Sequence, residues 1–437
     1  MITRRSLLRT GATIGAASLL PRSSHALGRA RPGLDDKLKL GIVGVANRAA
    51  SNLAGVSGEQ IVALCDIDSN YLNKVATAHP GAVLYRDFRA MLAAEKLDAV
   101  VVSTADHTHA PATLMALEQG LDVYCEKPLT HSVAEARLVA ETARRKGAVT
   151  QMGTQIHSGA NYRRVVELVR SGAIGSVREC HAWVGKAWGG GERPTDTPPV
   201  PEHLAYDLWL GPAPERPYHP TYLPANWRRW WDFGGGTLGD MGCHLLDLAF
   251  WALELRHPVH VSAEGPPVHL ETAPTWMRAN WEFAARKGAA LAQSEEVRVL
   301  PAVSLHWHDG GALPPQMEAG TVPKWGSGVL FVGDKGMLLA DYGRIQLLPD
   351  DKFKNHAAPT PWIADSIGHY QEWIQACKAR TETTCNFDYS GALTETVLLG
   401  NVAYRSGAKF DWDAASMKAS TEQAQQFIGR EYRDGWD

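Results

Sequence analysis

Two short runs on either side of the chain's midpoint carry residue types suited to moving protons. Glu126-Lys127-Pro128 closes the apolar run Leu121-Asp-Val-Tyr-Cys125, and Asp240-Met-Gly-Cys-His244 opens a helical stretch behind Gly234-Gly235-Gly236. Four residues apart on a helix, Asp240 and His244 share one face. An imidazole with an ordinary pKa of about 6.5 takes a hydroxyl proton as hydride leaves the adjoining carbon. Lys127, Asp240 and His244 are therefore the candidate catalytic residues, provided a hydride acceptor lies beside them. The plainer alternative, a helix N-terminal acid with a packed histidine, stays open at this point.

The elements that would position them are legible from periodicity. Between Leu38 and Thr154, short apolar runs (Lys39–Val43, Ile61–Cys65, Val83–Leu84, Ala99–Ser103, Leu121–Cys125, Ala148–Gln151) alternate with amphipathic segments. Strands about 20–25 residues apart, each followed by a helix, predict an α/β Rossmann domain with a doubly wound parallel sheet. Its ligands belong at the carboxyl ends of the strands. There the chain offers Gly44, Ala46, Asn47 and Arg48 in the first turn, and Asp66 beyond the second strand. The dinucleotide fingerprint Gly-x-Gly-x-x-Gly is matched at Gly44 alone, with Ala46 and Ala49 in place of the other glycines. Asp66, 22 residues past Gly44, is placed to accept both ribose hydroxyls and to repel a 2′-phosphate, which predicts NAD and makes NADP the less favoured cofactor. Thr104, His107 and His109 after the fourth strand, Glu126 and Lys127 after the fifth, and Gln155 after the sixth complete the candidate cofactor contacts. No metal is expected: His107 and His109 lack a third ligand nearby, and none of the six cysteines forms a Cys-x-x-Cys pair.

After a helix over Tyr162–Ser171 the texture changes. Gly189–Asn226 is crowded with Pro, Gly and aromatics, and consecutive strand-like runs follow with a hairpin signal at Gly333-Asp-Lys-Gly336. This predicts a second, α+β domain with an open, largely antiparallel sheet, and a division into residues 1–26, 37–156 and 157–437, the last with a tail able to return to the first domain. The first segment, Arg4-Arg5 followed by an uncharged run, resembles a twin-arginine export signal too short to span a bilayer. Its removal would take Arg4, Arg5, Arg9 and Arg22 away and shift the net charge from −3 to −7. A near-neutral balance gives no reason to expect nucleic acid or, beyond export, a membrane as partner. Fifteen tryptophans against nine phenylalanines offer many flat faces for sugars or cofactors. An open sheet predicts a homo-oligomer that covers its exposed side.

Cys125-Glu-Lys-Pro128, Thr104-Ala-Asp-His-Thr-His109, Met152-Gly-Thr-Gln155 and Gly239-Asp-Met-Gly-Cys-His244 together resemble the glucose–fructose oxidoreductase / inositol dehydrogenase / MocA family, in particular its exported branch. The resemblance runs through His369-Tyr-Gln-Glu-Trp373 to the closing Tyr-Arg-Asp-Gly-Trp. It implies a tightly held NAD(P) and hydride exchange with a carbohydrate, in the periplasm or otherwise outside the cytoplasm. It also implies that Lys127 bridges the nicotinamide ribose and substrate, that His244 is the acid/base, and that Asp240 orients or supports His244. Weak substrate-binding candidates are Tyr162, Arg163, Trp188, Arg228, Trp230, Trp231 and Asp232, with Tyr206 and Trp209 beside them. Two other readings fit the same fold: a redox-assisted glycosidase, and a non-catalytic sugar-binding protein.

Overall fold

The computed structural model describes residues 32–289 and 298–436; the export segment expected over residues 1–26 lies outside the described residues. β1 (Lys39–Val43), β2 (Gln60–Cys65), β3 (Val83–Tyr85), β4 (Ala99–Val102), β5 (Asp122–Cys125) and β6 (Thr150–Met152) form one all-parallel sheet in the order β3-β2-β1-β4-β5-β6. β4 and β5 are buried at every position, as strands covered on both faces must be. The connecting helices are α1 (Arg48–Gly55), α2 (Ser69–Ala76), α3 (Phe88–Ala94), α4 (Asp106–Glu118) and α5 (Val133–Lys146). Their ends are written locally. Asp68 and Asp87 side chains cap α2 and α3, Ser132 and Glu135 form a reciprocal capping box on α5, and Gly147 ends α5 in the left-handed region. The order turns back between β1 and β4, which places the ligand crevice there.

The second half begins with α6 (Ala160–Arg170) and β7 (Val177–Val184), then a long loop, then α7 (Gly236–Leu253). β8 (His260–Glu264), β9 (Arg278–Phe283), the small hairpin β10 (Arg286–Gly288) and β11 (Arg298–Leu300), and β12 (Val303–His308) follow. β13 (Ser327–Gly333), β14 (Gly336–Ala340) and β15 (Ile345–Leu348) lead to α8 (His369–Ala379), α9 (Phe387–Ser406), β16 (Phe410–Asp413) and β17 (Lys418–Ala419). Nine strands make one sheet, β15-β14-β13-β7-β12-β9-β8-β16-β17. Its pairings are antiparallel except for the central β7–β12 pair, which is parallel. Period-two alternation sends Cys180 and Ala182 of β7 and Leu305 and Trp307 of β12 into the core shared with α7 and α9. Their neighbours Glu179, His181, His306 and His308 turn to the other face.

Two details differ from the sequence expectation. The run Met337–Leu348 is two strands, because Asp341 Oδ1 accepts from the amides of Gly343 (2.9 Å) and Arg344 (2.7 Å) and turns the chain between them. α7 starts at Gly236, so Asp240 and His244 occupy its second and third turns rather than its opening. α8 and the C-terminal residues pack on the first domain. Trp373, Ile374, Ala376 and Cys377 of α8 bury against Leu38, Leu40, Ile42 and Tyr124 of the first sheet. Trp436 lies against Phe88 (5.9 Å between ring centroids) under the Arg89 guanidinium (4.2 Å). All six cysteines are free and buried. Among the described residues no helix is long and apolar enough to cross a membrane.

The fully buried Trp373 is the anchor of α8 on the first domain. Trp373→Ala should cost about 3–5 kcal/mol of folding stability, read as a lower urea midpoint; an unchanged midpoint would show that α8 docks without it.

Candidate active site

Gly44 makes the first turn possible. It sits at φ +83°, and a Cβ there would lie 2.7 Å from the Ser103 carbonyl oxygen. Ala46 takes no left-handed conformation, so its methyl costs the turn nothing; the unusual backbone falls to Asn47, at φ 54°. From this turn opens a cleft of about 430 Å³. Gly44, Ala46, Asn47, Arg48, Asp66 and Thr104 all line it, as the sequence predicts. The amino end of α1 among them is a ready anion site. Asp66 Oδ2 accepts from the Val45 amide (2.8 Å) and Oδ1 from the Asp68 amide (2.9 Å), which ties the second strand's carboxylate to the glycine turn. Asp68 and Arg86 share the lining, and Arg86 is held by the carbonyls of Ile67 and His203, both at 2.6 Å.

Other predicted cofactor residues hold this cleft from behind. Glu126 Oε1 accepts from Asn52 Nδ2 (3.0 Å), Gln155 Nε2 (2.9 Å) and Arg48 Nε (3.3 Å). Glu126 and Gln155 therefore fix Arg48 and the end of β5 and do not themselves line the cleft. His107 and His109 are corrected outright. α4 begins at Asp106 and turns both rings inward, where they are buried. His107 Nε2 meets the Trp209 carbonyl (2.8 Å), with its ring against Trp209 and Phe233. His109 lies between the carbonyls of Pro128 (2.7 Å from Nδ1) and Thr104 (3.1 Å from Nε2); the neutral ring donates its one N–H to one of them, Pro128 being the nearer.

Lys127 and Asp240 meet as predicted, although not in the predicted roles. Lys127 Nζ donates to the Asp240 carbonyl (2.8 Å) and to its carboxylate Oδ1 (3.0 Å). Arg228 Nε donates to the same Oδ1 (2.9 Å), Trp188 Nε1 to Oδ2 (2.9 Å), and Lys186 Nζ stands 3.8 Å from Oδ2. Burial opposes ionisation of Asp240, but Lys127 and Arg228 outweigh it and hold the carboxyl well below the usual range. Asp240 thus anchors the lysine rather than His244. Arg228 can come this close because Gly234 has no side chain: a Cβ there would lie 2.7 Å from the Arg228 Cα.

His244 lies one turn further along α7, and among the described residues none hydrogen-bonds its ring. Burial, with Lys127 adding to it, pushes its pKa down to about 3, not the 6.5 of a free imidazole. It is a neutral base at physiological pH. Its backbone carbonyl accepts from Tyr162 OH (3.0 Å), which explains Tyr162: fully buried, it braces the helix and does not reach substrate.

Of the other substrate candidates, Trp188 and Arg228 are in the site. Arg163 is buried, donating to the carbonyls of Ala364 (2.9 Å) and His157 (2.8 Å). Trp230 and Trp231 are buried in the core, and Asp232 pairs with Arg193 and Arg216 to pin the long loop. Tyr206, Trp209, Tyr222 and Phe233 stack into a core of their own. That loop is stiffened by its aromatics, and its Leu204, Trp209, Tyr218 and Trp227 roof the cofactor cleft.

Two residues escaped the sequence reading. Asp106, in the first turn of α4, is buried; burial raises its pKa to about 7 against the pull of Lys127 and Arg228. It stood inside the Ser103–His109 run, where the histidines are the more conspicuous residues. Tyr342, on the turn between β14 and β15, lies edge-on to Tyr162 (6.1 Å between ring centroids) and is partly exposed; desolvation of its phenol, with the Asp240 and Asp247 carboxylates adding to it, raises it to about 12. Only folding brings that turn to α7, so no local pattern marks it. As pH rises through neutrality Asp106 gains charge beside Lys127 and competes with Asp240 for it. Turnover should therefore change around pH 7 in the wild type, and this step should vanish in Asp106→Asn; a step that persists would belong to another group.

Comparison with known proteins gives the same picture. The model of an oxidoreductase family's NAD-binding Rossmann fold (Gfo/Idh/MocA) matches residues 38–154, and that of the family's C-terminal alpha/beta domain matches residues 161–297, together more than half of the chain. A D-apiose dehydrogenase of Paraburkholderia graminis is 29% identical over 194 residues, 44% of this chain and 43% of its own. An inositol 2-dehydrogenase of Rubrobacter xylanophilus is 32% identical over 156 residues, 35% of this chain and 45% of its own. A glycosyl hydrolase family 109 protein of Saccharopolyspora erythraea is 27% identical over 258 residues, 53% and 51% of the two chains. The chain thus spans about half the length of the curated relatives it matches. Among solved structures, the WlbA dehydrogenase from Bordetella pertussis in complex with NADH and UDP-GlcNAcA superposes with TM-score 0.62 at 17% identity, over 87% of this chain and 99% of that one. At that identity the likeness is one of fold.

Proposed function

The chain belongs to the glucose–fructose oxidoreductase / inositol dehydrogenase / MocA family of oxidoreductases, and on that premise we propose that it is an exported NAD(H)-dependent enzyme that interconverts a hydroxyl and a ketone on a sugar or glycoside. The observation that carries this reading is the juxtaposition of an ion-paired lysine with an unpartnered, neutral histidine at the carboxyl edge of a parallel sheet. The donor set beside them suits a dinucleotide. The glycine turn and the amino end of α1 would take its pyrophosphate, and Asp66 the adenosine ribose, with Asp68 adding charge against a 2′-phosphate. Bound in this cleft, such a cofactor would supply the hydride acceptor.

His244 accepts the substrate hydroxyl proton as the carbon gives up hydride. Lys127 has three N–H donors and uses two on Asp240, so one remains for the reacting oxygen or a ribose hydroxyl. Asp240 keeps that ammonium in register and shares Arg228 and Trp188, which present a cation and an apolar face to the sugar. Leu204, Trp209, Tyr218 and Trp227 of the aromatic loop would hold a bound cofactor in the cleft between turnovers, which would suit a compartment without free NAD. His244→Ala should lower kcat by about 10²–10⁴-fold, with NAD(H) still released from denatured protein and detected by mass. Unchanged turnover would remove His244 from this role.

A second reading, redox-assisted glycoside cleavage, is favoured by one observation: the family 109 relative matches over the longest stretch of the three. A panel of sugars and glycosides separates the two. Net reduced nicotinamide or ketosugar marks the dehydrogenase; aglycone release without net cofactor change marks the glycosidase. Protein that yields no nicotinamide on denaturation and turns over none of the panel would defeat both.

A further inference from the structure

The face of the nine-stranded sheet turned away from α7 carries a group of ligand-type side chains that the proposed reaction does not use. β7 and β12 lie side by side, with His181 directly opposite His306. Their rings stack at 4.6 Å between centroids, 21° from parallel. Two residues before His181 on the same face is Glu179, whose Oε1 lies 2.5 Å from His181 Nε2. One ligand atom from each of Glu179, His181 and His306 falls within 4.8 Å of the others.

The atoms on the far side of these rings are already spoken for. His306 Nδ1 bonds Asn280 Oδ1 (2.6 Å), which makes Nδ1 the donor and leaves Nε2 with its lone pair. His181 Nδ1 bonds His308 Nε2 (3.0 Å). His181 Nε2 donates its proton to Glu179 Oε1; a metal ion would take the place of that proton, which passes to solvent, with Nδ1 then donating to His308 and the Glu179 side chain shifting to make room. Gln316 Nε2 steadies the same Glu179 oxygen from outside (2.9 Å). Outer partners that orient imidazoles and carboxylates in this way are the usual surroundings of a metal. The parallel pairing of β7 with β12 creates the site, which is why the sequence reading, considering His107, His109 and the cysteine spacing, expected no metal.

We propose that Glu179, His181 and His306 bind a divalent transition-metal ion of the zinc type on this outer sheet face. Two imidazoles and a carboxylate suit zinc, at bond lengths of about 2.0–2.2 Å, with a fourth position left to water. Glu179 is 39% exposed, so the ion has an entry path and the carboxylate has room to swing inward. Bound there, the metal clamps the one parallel pair of the sheet from the side opposite the core.

The test uses untagged full-length protein stripped with a chelator. Given zinc chloride, it should retain one zinc per chain through desalting and melt at a higher temperature; cobalt in its place should give visible ligand-field absorption. Glu179→Gln and His306→Gln should each lose the retained metal and the thermal increment while keeping NAD(H) retention and turnover. Should His306→Gln fail to fold, Glu179→Gln and the cobalt spectrum still decide. No retained zinc with an unchanged melt, or retention undiminished in the variants that fold, would overturn the assignment.

Discussion

A buried carboxylate with four polar partners holds this protein's two halves in working relation. Asp240 comes from the second domain and Lys127 from the first, and Arg228, Trp188 and Lys186 close round the same two oxygens. Taking the Asp240 carboxylate or the Lys127 ammonium out of water alone would be costly, so each of these two is stable only while the other is present. Removing one partner of a buried pair typically costs about 3–5 kcal/mol. The bond therefore sets where α7 lies against the end of β5, and with it where His244 stands relative to the cofactor cleft. Domain placement and catalytic geometry rest on the same contact.

Around that hub, charge is sorted by burial. Asp240 is kept ionised by neighbouring cations, whereas Asp106, equally buried but without so direct a partner, titrates near neutrality. His244, half-buried and within the field of Lys127, is held neutral. A fixed anion, a titrating acid and a neutral base within one site follow from how many opposite charges each group meets. The Asp240 carboxylate is the neighbour that raises the proton affinity of His244 against the burial and the Lys127 charge that lower it.

The aromatic richness of the chain finds a structural use. Tyr206, Trp209, Tyr222 and Phe233 assemble a secondary core that gives a long Pro- and Gly-rich loop a fixed shape, and that shape roofs the cofactor cleft. The C-terminal segments reinforce the first domain: Tyr370 of α8 donates to Asn52 Oδ1 (2.8 Å) and accepts from Arg48 Nη2 (3.1 Å). The cofactor turn is supported from three separate parts of the chain, which explains how it forms with alanine where the fingerprint has glycine.

The order and type of the first domain's elements were legible because local periodicity, capping residues and strand burial are properties of short segments. The same holds for Gly44, Asp66, Lys127, Asp240 and His244, whose positions at strand ends or on one helix face follow from where those segments stop. Local pattern could not tell which way His107 and His109 point, that Asp240 grips Lys127 instead of His244, that Tyr342 comes near α7, or that His181 and His306 lie face to face. Those depend on the register between strands and on how the domains meet. Burial, which moved His244 and Asp106 so far from their ordinary proton affinities, exists only once the chain has closed around them.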